Sequence, residues 1–176
     1  MQNPLHNVLY RLRQVRQQLG FVAPLSAHDL AEVADLLPSA ALRLFVSMSP
    51  TDQHHSLRVC RGLQARGWHE QDMLIAALLH DVGKAAGRVP FWTRPVIVLG
   101  KRCTPRLLAR LTAYPVEEQH LPPWRRALSY AWWHAEVGAD LAAGAGLSAR
   151  TVHYIRMHHQ PDSPELAVLH LVDEAS

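Results

Sequence analysis

Apolar residues recur along most of the chain at intervals of three and four, the spacing of a helix with one buried face. Such stripes predict helices over residues 5–19 and 26–37, the second behind a weak capping box, Ser26-Ala-His-Asp29. Further helices are predicted over residues 39–48, from residue 50 through Val59 and Leu63, and over 71–79, 105–111, 124–143, 148–159 and 164–176. Residues 71–79 are apolar on every side, which indicates a buried central helix.

Strand signals are almost absent from the sequence. Only residues 96–99, Val-Ile-Val-Leu, resemble a strand, and no alternating run is long enough for a sheet. We therefore predict an all-α fold built as a helical bundle. The length of 176 residues fits a single domain. Within it we distinguish N-terminal helices over residues 1–50, a core over residues 51–176 and, inside that core, a basic, proline-rich insert at residues 85–126.

The composition is that of a folded protein, with 48% hydrophobic and 19% charged residues. Arg11, Arg13 and Arg16 interrupt the apolar stretch that a signal peptide needs. The longest apolar run, residues 73–79, is far shorter than the roughly 20 residues that span a bilayer. Cys60 and Cys103 form no disulfide or zinc pattern. We expect a cytoplasmic protein with no membrane partner.

Seven histidine and aspartate residues fall on the buried stripes or at the ends of the predicted helices. They are His55, His80, Asp81, His134, His158, His159 and Asp173. His159, for example, continues the stripe of Val152 and Ile155. Buried ionisable groups are costly unless they are paired or bind a metal, so seven of them facing one core indicate a metal centre. Imidazole and carboxylate without thiolate suit iron, manganese, zinc or cobalt.

The order of these residues resembles the HD superfamily of metal-dependent phosphohydrolases. The matching segments are HHSLRV, ALLHDVGK, HAEVGADL, YIRMHH and LHLVDEAS, in the family's order over residues 51–176. The resemblance implies two divalent ions that share Asp81. The first would be held by His55, His80, Asp81 and Asp173, and the second by Asp81, His134, His158 and His159. The implied ions are iron or manganese, with zinc, cobalt, nickel or magnesium as alternatives.

The activity implied by the resemblance is hydrolysis of a phosphate ester, a phosphomonoester or phosphodiester and in particular a nucleotide. In this interpretation Asp81 and Lys84 are the catalytic residues, and Lys84, Arg88 and Arg94 bind the substrate. Residues 84–126 carry nine basic and two acidic residues, which suits an anionic ligand. The segment after His159 reads QPDSPE and departs from the GYP pattern of the cyclic-di-GMP branch, so that specificity is not implied.

Several alternatives stay open at this level. The same ligand set loaded with two irons also resembles HD-type oxygenases, and a regulatory module that binds metal without turnover would keep the same ligands. Tryptophans interleave with the basic residues, so a nucleic-acid partner is a further alternative, although a small phosphorylated substrate is favoured. The sequence makes no prediction of the oligomeric state.

Overall fold

The computed structural model describes residues 22–86, 89–90, 92–116 and 120–176, but not the side chains of Arg94 and Lys101. The helix predicted over residues 5–19 therefore lies outside the described residues. Within the described ranges the chain forms helices and no strand, which confirms the all-α prediction. The helices are α1 (Ala27–Leu36), α2 (Ser39–Ser47), α3 (Pro50–Gln64), α4 (Gln71–Leu79), α5 (Gly83–Ala86), α6 (Thr93–Cys103), α7 (Pro105–Leu111), α8 (Pro123–Trp132), α9 (His134–Gly144), α10 (Ala149–Met157) and α11 (Pro164–Ala175).

Helix α4 is the centre of the main core. All its residues from 73 to 79 are buried, and it packs mainly against α3 and α10. Phe45, Leu63 and Ile155, which are fully buried, belong to the same core. A helix that is apolar on every side needs such a surrounding layer. The prediction of a buried central helix is confirmed.

Serine hydroxyl groups cap several helix starts. Ser26, Ser49, Ser148 and Ser163 each accept a hydrogen bond from the backbone N–H three residues further on. Each bond satisfies one of the amide groups that a helix start leaves without a partner. Ser148 also donates to a carboxylate oxygen of Asp72, which ties the start of α10 to the start of α4.

The single helix predicted over residues 124–143 is wrong, because the chain breaks it at Trp133. There the backbone has φ −100° and ψ 18°, and α8 ends one residue before while α9 begins at His134. Periodicity misses this break because Trp133 N–H still donates to Ser129 and Trp133 C=O still accepts from Val137. The helical spacing therefore continues across the break between α8 and α9.

The strand-like segment 96–99 is helical and lies in α6. The least exposed positions of α6 are Thr93, Ile97 and Gly100, at helical spacing. A Cβ at Gly100 would lie 2.6 Å from Leu108 Cδ2, so the glycine permits close packing of α6 on α7. This packing outweighs the strand preference of valine and isoleucine, which depends on context. The helix predicted over 105–111 is present as α7.

The helices of the segment 85–126 form their own contacts beside the main core. Helix α6 packs against α7 and α8, and a small second core of Val116, Tyr130 and Val137 connects this part to α9. None of the described helices combines the length and the apolar character needed to cross a bilayer.

Candidate metal centre

The seven predicted ligands come from five parts of the chain and approach one another near the C-terminal end of α4. Two lie within helices, His55 in α3 and Asp173 in α11. The others lie at helix ends: His80 and Asp81 after α4, His134 at the start of α9, and His158 and His159 after α10. At a helix end a side chain can point into the space between helices. A side chain in the middle of a helix, on its outer face, cannot.

The donor atoms form two adjacent groups. Within each group the donor atoms lie within 4.8 Å of one another: His55, His80 and Asp81 in the first, and His134, His158 and His159 in the second. The groups are in contact, since the ring centroids of His80 and His158 are 5.1 Å apart. The structure thus brings together residues that are far apart in the sequence and that the sequence assigned to one centre.

Asp81 lies between the two groups. Its Oδ2 is 3.6 Å from His80 Nε2, and its Oδ1 is 3.6 Å from His134 Nε2. Each carboxylate oxygen therefore faces a different histidine group. This is the arrangement that a carboxylate shared by two neighbouring cations requires.

Asp173 also contacts the first group, through His55 and His80. Its Oδ1 is 2.8 Å from His55 Nε2 and 3.3 Å from His80 Nε2. The contact joins α3 to the C-terminal helix α11, across 118 residues of sequence. All seven predicted ligands therefore lie in one connected cluster of side chains.

Three of the histidines are oriented by the same kind of backbone contact. Nδ1 of His80, His134 and His158 lies 2.9, 2.9 and 2.6 Å from the carbonyl oxygen three residues earlier. A carbonyl oxygen only accepts, so Nδ1 carries the proton and directs Nε2 toward the cluster. These carbonyls are available because they belong to the last turns of α4, α8 and α10, where a helix leaves its carbonyl groups unpaired.

The donor set fits a metal ion. Metal-binding histidines usually donate their second ring N–H to a carbonyl or carboxylate, as these three do. His80 Nε2 and His158 Nε2 are buried and have no hydrogen-bond partner among the described residues. The carboxylates of Asp81 and Asp173 lie near His80 Nε2, but these contacts lack hydrogen-bond geometry. Leaving such an atom unsatisfied costs about 1–3 kcal/mol. A bound cation would remove that cost.

The charges of the cluster favour a cation as well. Two carboxylates, Asp81 and Asp173, face one ammonium, that of Lys84, which leaves one negative charge uncompensated when the histidines are neutral. Burial alone would raise the pKa of Asp81, but Lys84 and the surrounding histidines outweigh it and hold that pKa well below its usual range. The carboxylate of Asp81 is therefore ionised and able to bind a metal at neutral pH.

The histidines divide into neutral and cation-favouring positions. Burial, reinforced by Lys84, lowers the pKa of His134 to about 3, and burial together with His80 holds the pKa of His158 well below its usual range. Both rings are neutral at pH 7, the form that binds metal. Burial would also lower the pKa of His80, but Asp81 and Asp173 outweigh it and raise that pKa. A positive charge is thus favoured at His80 Nε2, whether a proton or a metal ion.

The cluster is buried on one side and reaches solvent on the other. His80 and His158 are 1% and 0% exposed, whereas the side chains of Lys84 and His55 are 27% and 22% exposed. Lys84 Nζ lies 2.6 Å from Asp81 Oδ2, so the predicted substrate-binding lysine does reach the centre. Arg88 and the side chain of Arg94 lie outside the described residues, and their substrate contacts stay predictions.

The helical stripe that placed His159 on a buried face does not extend to it. Helix α10 ends at Met157, so both His158 and His159 lie beyond the helical spacing. His158 is the fully buried one, and His159 is exposed. Its Nε2 still lies 2.9 Å from His134 Nε2, which keeps it in the second group at the solvent side.

Gly83 is a positioning residue that the sequence analysis did not single out. A Cβ at Gly83 would lie 2.1 Å from His134 O and 2.8 Å from Gly138 N. Only glycine allows α5 to approach the backbone of α9 this closely, and that approach sets His134 opposite Asp81. The glycine of the HDVGK segment was the available signal.

A third group of possible donors, His28, Asp29 and Glu32, is of a different kind. It lies near the surface on α1, and Arg61 pairs with both of its carboxylates at 2.5 Å. These carboxylates already have a cation, so the group is an ion-pair network that joins α1 to α3.

Comparison of the chain with protein-family models, curated proteins and solved structures gives no match.

Proposed function

We propose that this protein is a metal-dependent phosphohydrolase of the HD type, in which two divalent ions share Asp81 and act on a phosphate ester such as a nucleotide. The observation that carries the proposal is the carboxylate of Asp81, with one oxygen facing His80 and the other facing His134. A buried ion pair that served only stability would not need a histidine group on either side, each with one buried Nε2 atom, of His80 and of His158, that has no hydrogen-bond partner.

The ligands proposed for the two ions follow the two groups of donors. His55, His80, Asp81 and Asp173 would hold the first ion, and Asp81, His134, His158 and His159 the second. Two divalent ions held there would supply Lewis-acid charge for the phosphoryl oxygens and would lower the pKa of a bound water. Iron or manganese suits this mixture of imidazole and carboxylate, with zinc, cobalt, nickel and magnesium as alternatives.

Lys84 is proposed to bind the substrate. Its ammonium contacts Asp81 and its side chain is partly exposed, so it lies between the buried ligands and the solvent. At that position it can donate to a phosphoryl oxygen and hold the ester against the centre. Charge-assisted hydrogen bonds of this kind are about twice as strong as neutral ones. Asp81 would hold both ions, and it keeps Lys84 in place through their ion pair.

The test is a metal and substrate panel on the purified 176-residue chain. The protein is loaded separately with Mn, Fe(II), Co, Ni, Zn and Mg and assayed on nitrophenyl phosphate, bis-nitrophenyl phosphate and a set of nucleotides, with and without oxygen. We expect phosphate-ester hydrolysis that does not depend on oxygen and that Asp81→Asn abolishes, while His54→Ala, one residue from a ligand, retains it.

Two outcomes would replace the proposal. Turnover that requires both iron and oxygen and releases no phosphate would assign the centre to oxygenase chemistry. Two bound metals per chain with no turnover on any ester or nucleotide of the panel would favour the regulatory, metal-binding module.

A further inference from the structure

Helices α6 and α7 present an exposed apolar surface that neither core uses. Val96, Val98 and Leu99 of α6 are 40%, 66% and 61% exposed, and Leu107 of α7 is 55% exposed. Trp92, directly before α6, is 41% exposed. We call these five residues the α6–α7 face. Single exposed apolar residues are ordinary, but several on two packed helices form a patch, and patches of this kind mark interaction sites.

The apolar and basic side chains share the outer side of α6. Thr93 is buried and points inward, whereas Val98 and Leu99 point away from it. Val96 lies three residues from both Thr93 and Leu99, on the partly exposed flank between them. Val98 and Arg102 are neighbours at a spacing of four on the same exposed side. The exposed surface of α6 therefore carries apolar side chains with the basic Arg102 among them.

The charge of this region has one sign. Residues 92–116 contain five basic residues and no acidic one, namely Arg94, Lys101, Arg102, Arg106 and Arg110. The side chains of Arg102, Arg106 and Arg110 are exposed. A partner that covers the α6–α7 face must therefore offer negative charge beside an apolar phase.

We propose that the α6–α7 face docks onto an anionic membrane surface, with the aliphatic side chains and Trp92 at the headgroup boundary and the arginines on lipid phosphates. Helices that present apolar side chains beside basic ones bind such surfaces, and tryptophan favours the interface. A nucleic acid would match the arginines but offers no apolar phase for valine and leucine. A second copy of the chain would bring the same positive charge to the contact.

This proposal replaces the expectation of no membrane partner, which rested on the lack of a signal or spanning segment and did not consider peripheral contact. It does not depend on the proposed phosphohydrolase activity. The partial burial of a few aliphatic groups gives only weak attachment by itself, so the arginines must contribute. Binding should therefore require anionic lipid and weaken as salt is added.

The experiment is cosedimentation of the 176-residue chain with vesicles of phosphatidylcholine alone or with about one third phosphatidylglycerol. We expect binding only to the anionic vesicles. Replacing Leu99 by Asn together with Val98→Asn should reduce binding at least roughly tenfold, and Arg102→Gln should reduce it about fivefold. The matched controls are Val46→Asn and Leu171→Asn, which lie on α2 and α11 and are 53% and 60% exposed.

Tryptophan fluorescence supplies a second measurement. The emission of the chain should shift to shorter wavelength with anionic vesicles and not with neutral ones, and Trp92→Phe should remove that shift although four other tryptophans remain. A chain that stays unbound at low salt, or that loses binding equally in the control variants, overturns the proposal. So does tighter binding to a single-stranded oligonucleotide than to the vesicles, or a dimer in solution that Leu99→Asn dissociates.

Discussion

The ammonium of Lys84 lies 2.6 Å from Oδ2 of Asp81, the same oxygen that faces His80. One carboxylate thus contacts a cationic side chain at the solvent side and faces both histidine groups. This contact lowers the pKa of Asp81 and keeps the carboxylate ionised despite burial. It also places a donor for anions next to the proposed metal centre.

Replacing Lys84 by Ala should weaken catalysis without removing metal. We expect kcat/KM for the best phosphate ester to fall about 10- to 100-fold, the effect of losing a charge-assisted hydrogen bond worth roughly 1.5–3 kcal/mol. Metal content, measured by mass spectrometry of the dialysed protein, should stay the same or rise. The reason is that the variant lacks the positive charge of Lys84, which would repel a bound cation. Arg66→Ala, an exposed cation that bonds to its own helix, is the control. Wild-type kcat/KM in the Lys84 variant would contradict a role in substrate binding.

His55 and His54 differ in helix phase and should differ in metal binding. His55 Nε2 contacts Asp173 at 2.8 Å, whereas His54 Nε2 lies 3.0 Å from the carbonyl of Ala23, away from the cluster. His55→Ala should therefore lose about one of the two metals and the activity, and His54→Ala should keep both. The metal-to-protein ratio after dialysis provides the measurement. Equal losses in the two variants would show that the helix phase assigned to His55 is wrong.

Gly83→Ala should disrupt the centre, whereas Gly144→Ala should be tolerated. The added Cβ at Gly83 would meet backbone atoms of His134 and Gly138, which cannot turn aside, whereas nothing lies within 4 Å of a Cβ at Gly144. We expect Gly83→Ala to lower the free energy of unfolding by about 3 kcal/mol and to lose metal. Gly144→Ala should raise the free energy of unfolding by up to about 1 kcal/mol, because alanine favours the helical conformation more than glycine does. Urea denaturation of both variants tests this, and equal stabilities would refute the close approach of α5 and α9.

The two cysteines should react with thiol reagents at very different rates. Cys60 is fully buried, and burial raises the pKa of its thiol to about 12, whereas Cys103 is exposed. At pH 8 a thiol of that pKa is ionised to roughly one part in 10⁴, and the thiolate is the reactive form. A disulfide reagent should label one fast thiol in the folded chain, and Cys103→Ser should abolish that phase. A fast phase that persists in Cys103→Ser would mean that Cys60 is accessible.

Asp72 should make stability depend on pH below neutrality. Hydrogen bonds from Ser148 and Thr151 lower the pKa of Asp72 when the chain is folded. A lowered folded pKa contributes stability above the unfolded pKa, and the contribution is lost as pH falls through the folded value. Asp72→Asn should therefore cost about 1 kcal/mol at pH 7, given partial exposure, and less near pH 3. Thermal unfolding of Asp72→Asn across this range, with exposed Asp35→Asn as control, measures the difference. A constant difference would contradict the linkage.

The sequence by itself determined the helical class, the buried central helix and the ligand types of the candidate centre. The apolar residues on every side of the helix were enough to predict that residues 73–79 are buried. Hydrophobic period reports which side of a single helix faces inward, and this was enough to place His55. The order of His80-Asp81, His134, His158-His159 and Asp173 was enough to assign them to one centre. The phosphohydrolase activity and the two metals rest on that order and stay predictions.

Only the tertiary structure decided how these groups are arranged. The break at Trp133, the helical state of residues 96–99 and the end of α10 before His158 all depend on packing between helices, which a one-dimensional period does not contain. The same applies to the tautomers of His80, His134 and His158, since they are set by carbonyls at helix ends. The division of the two Asp81 oxygens between histidine groups, and the need for Gly83, exist only where α4, α5, α9 and α10 meet, because long-range contacts alone bring those elements together.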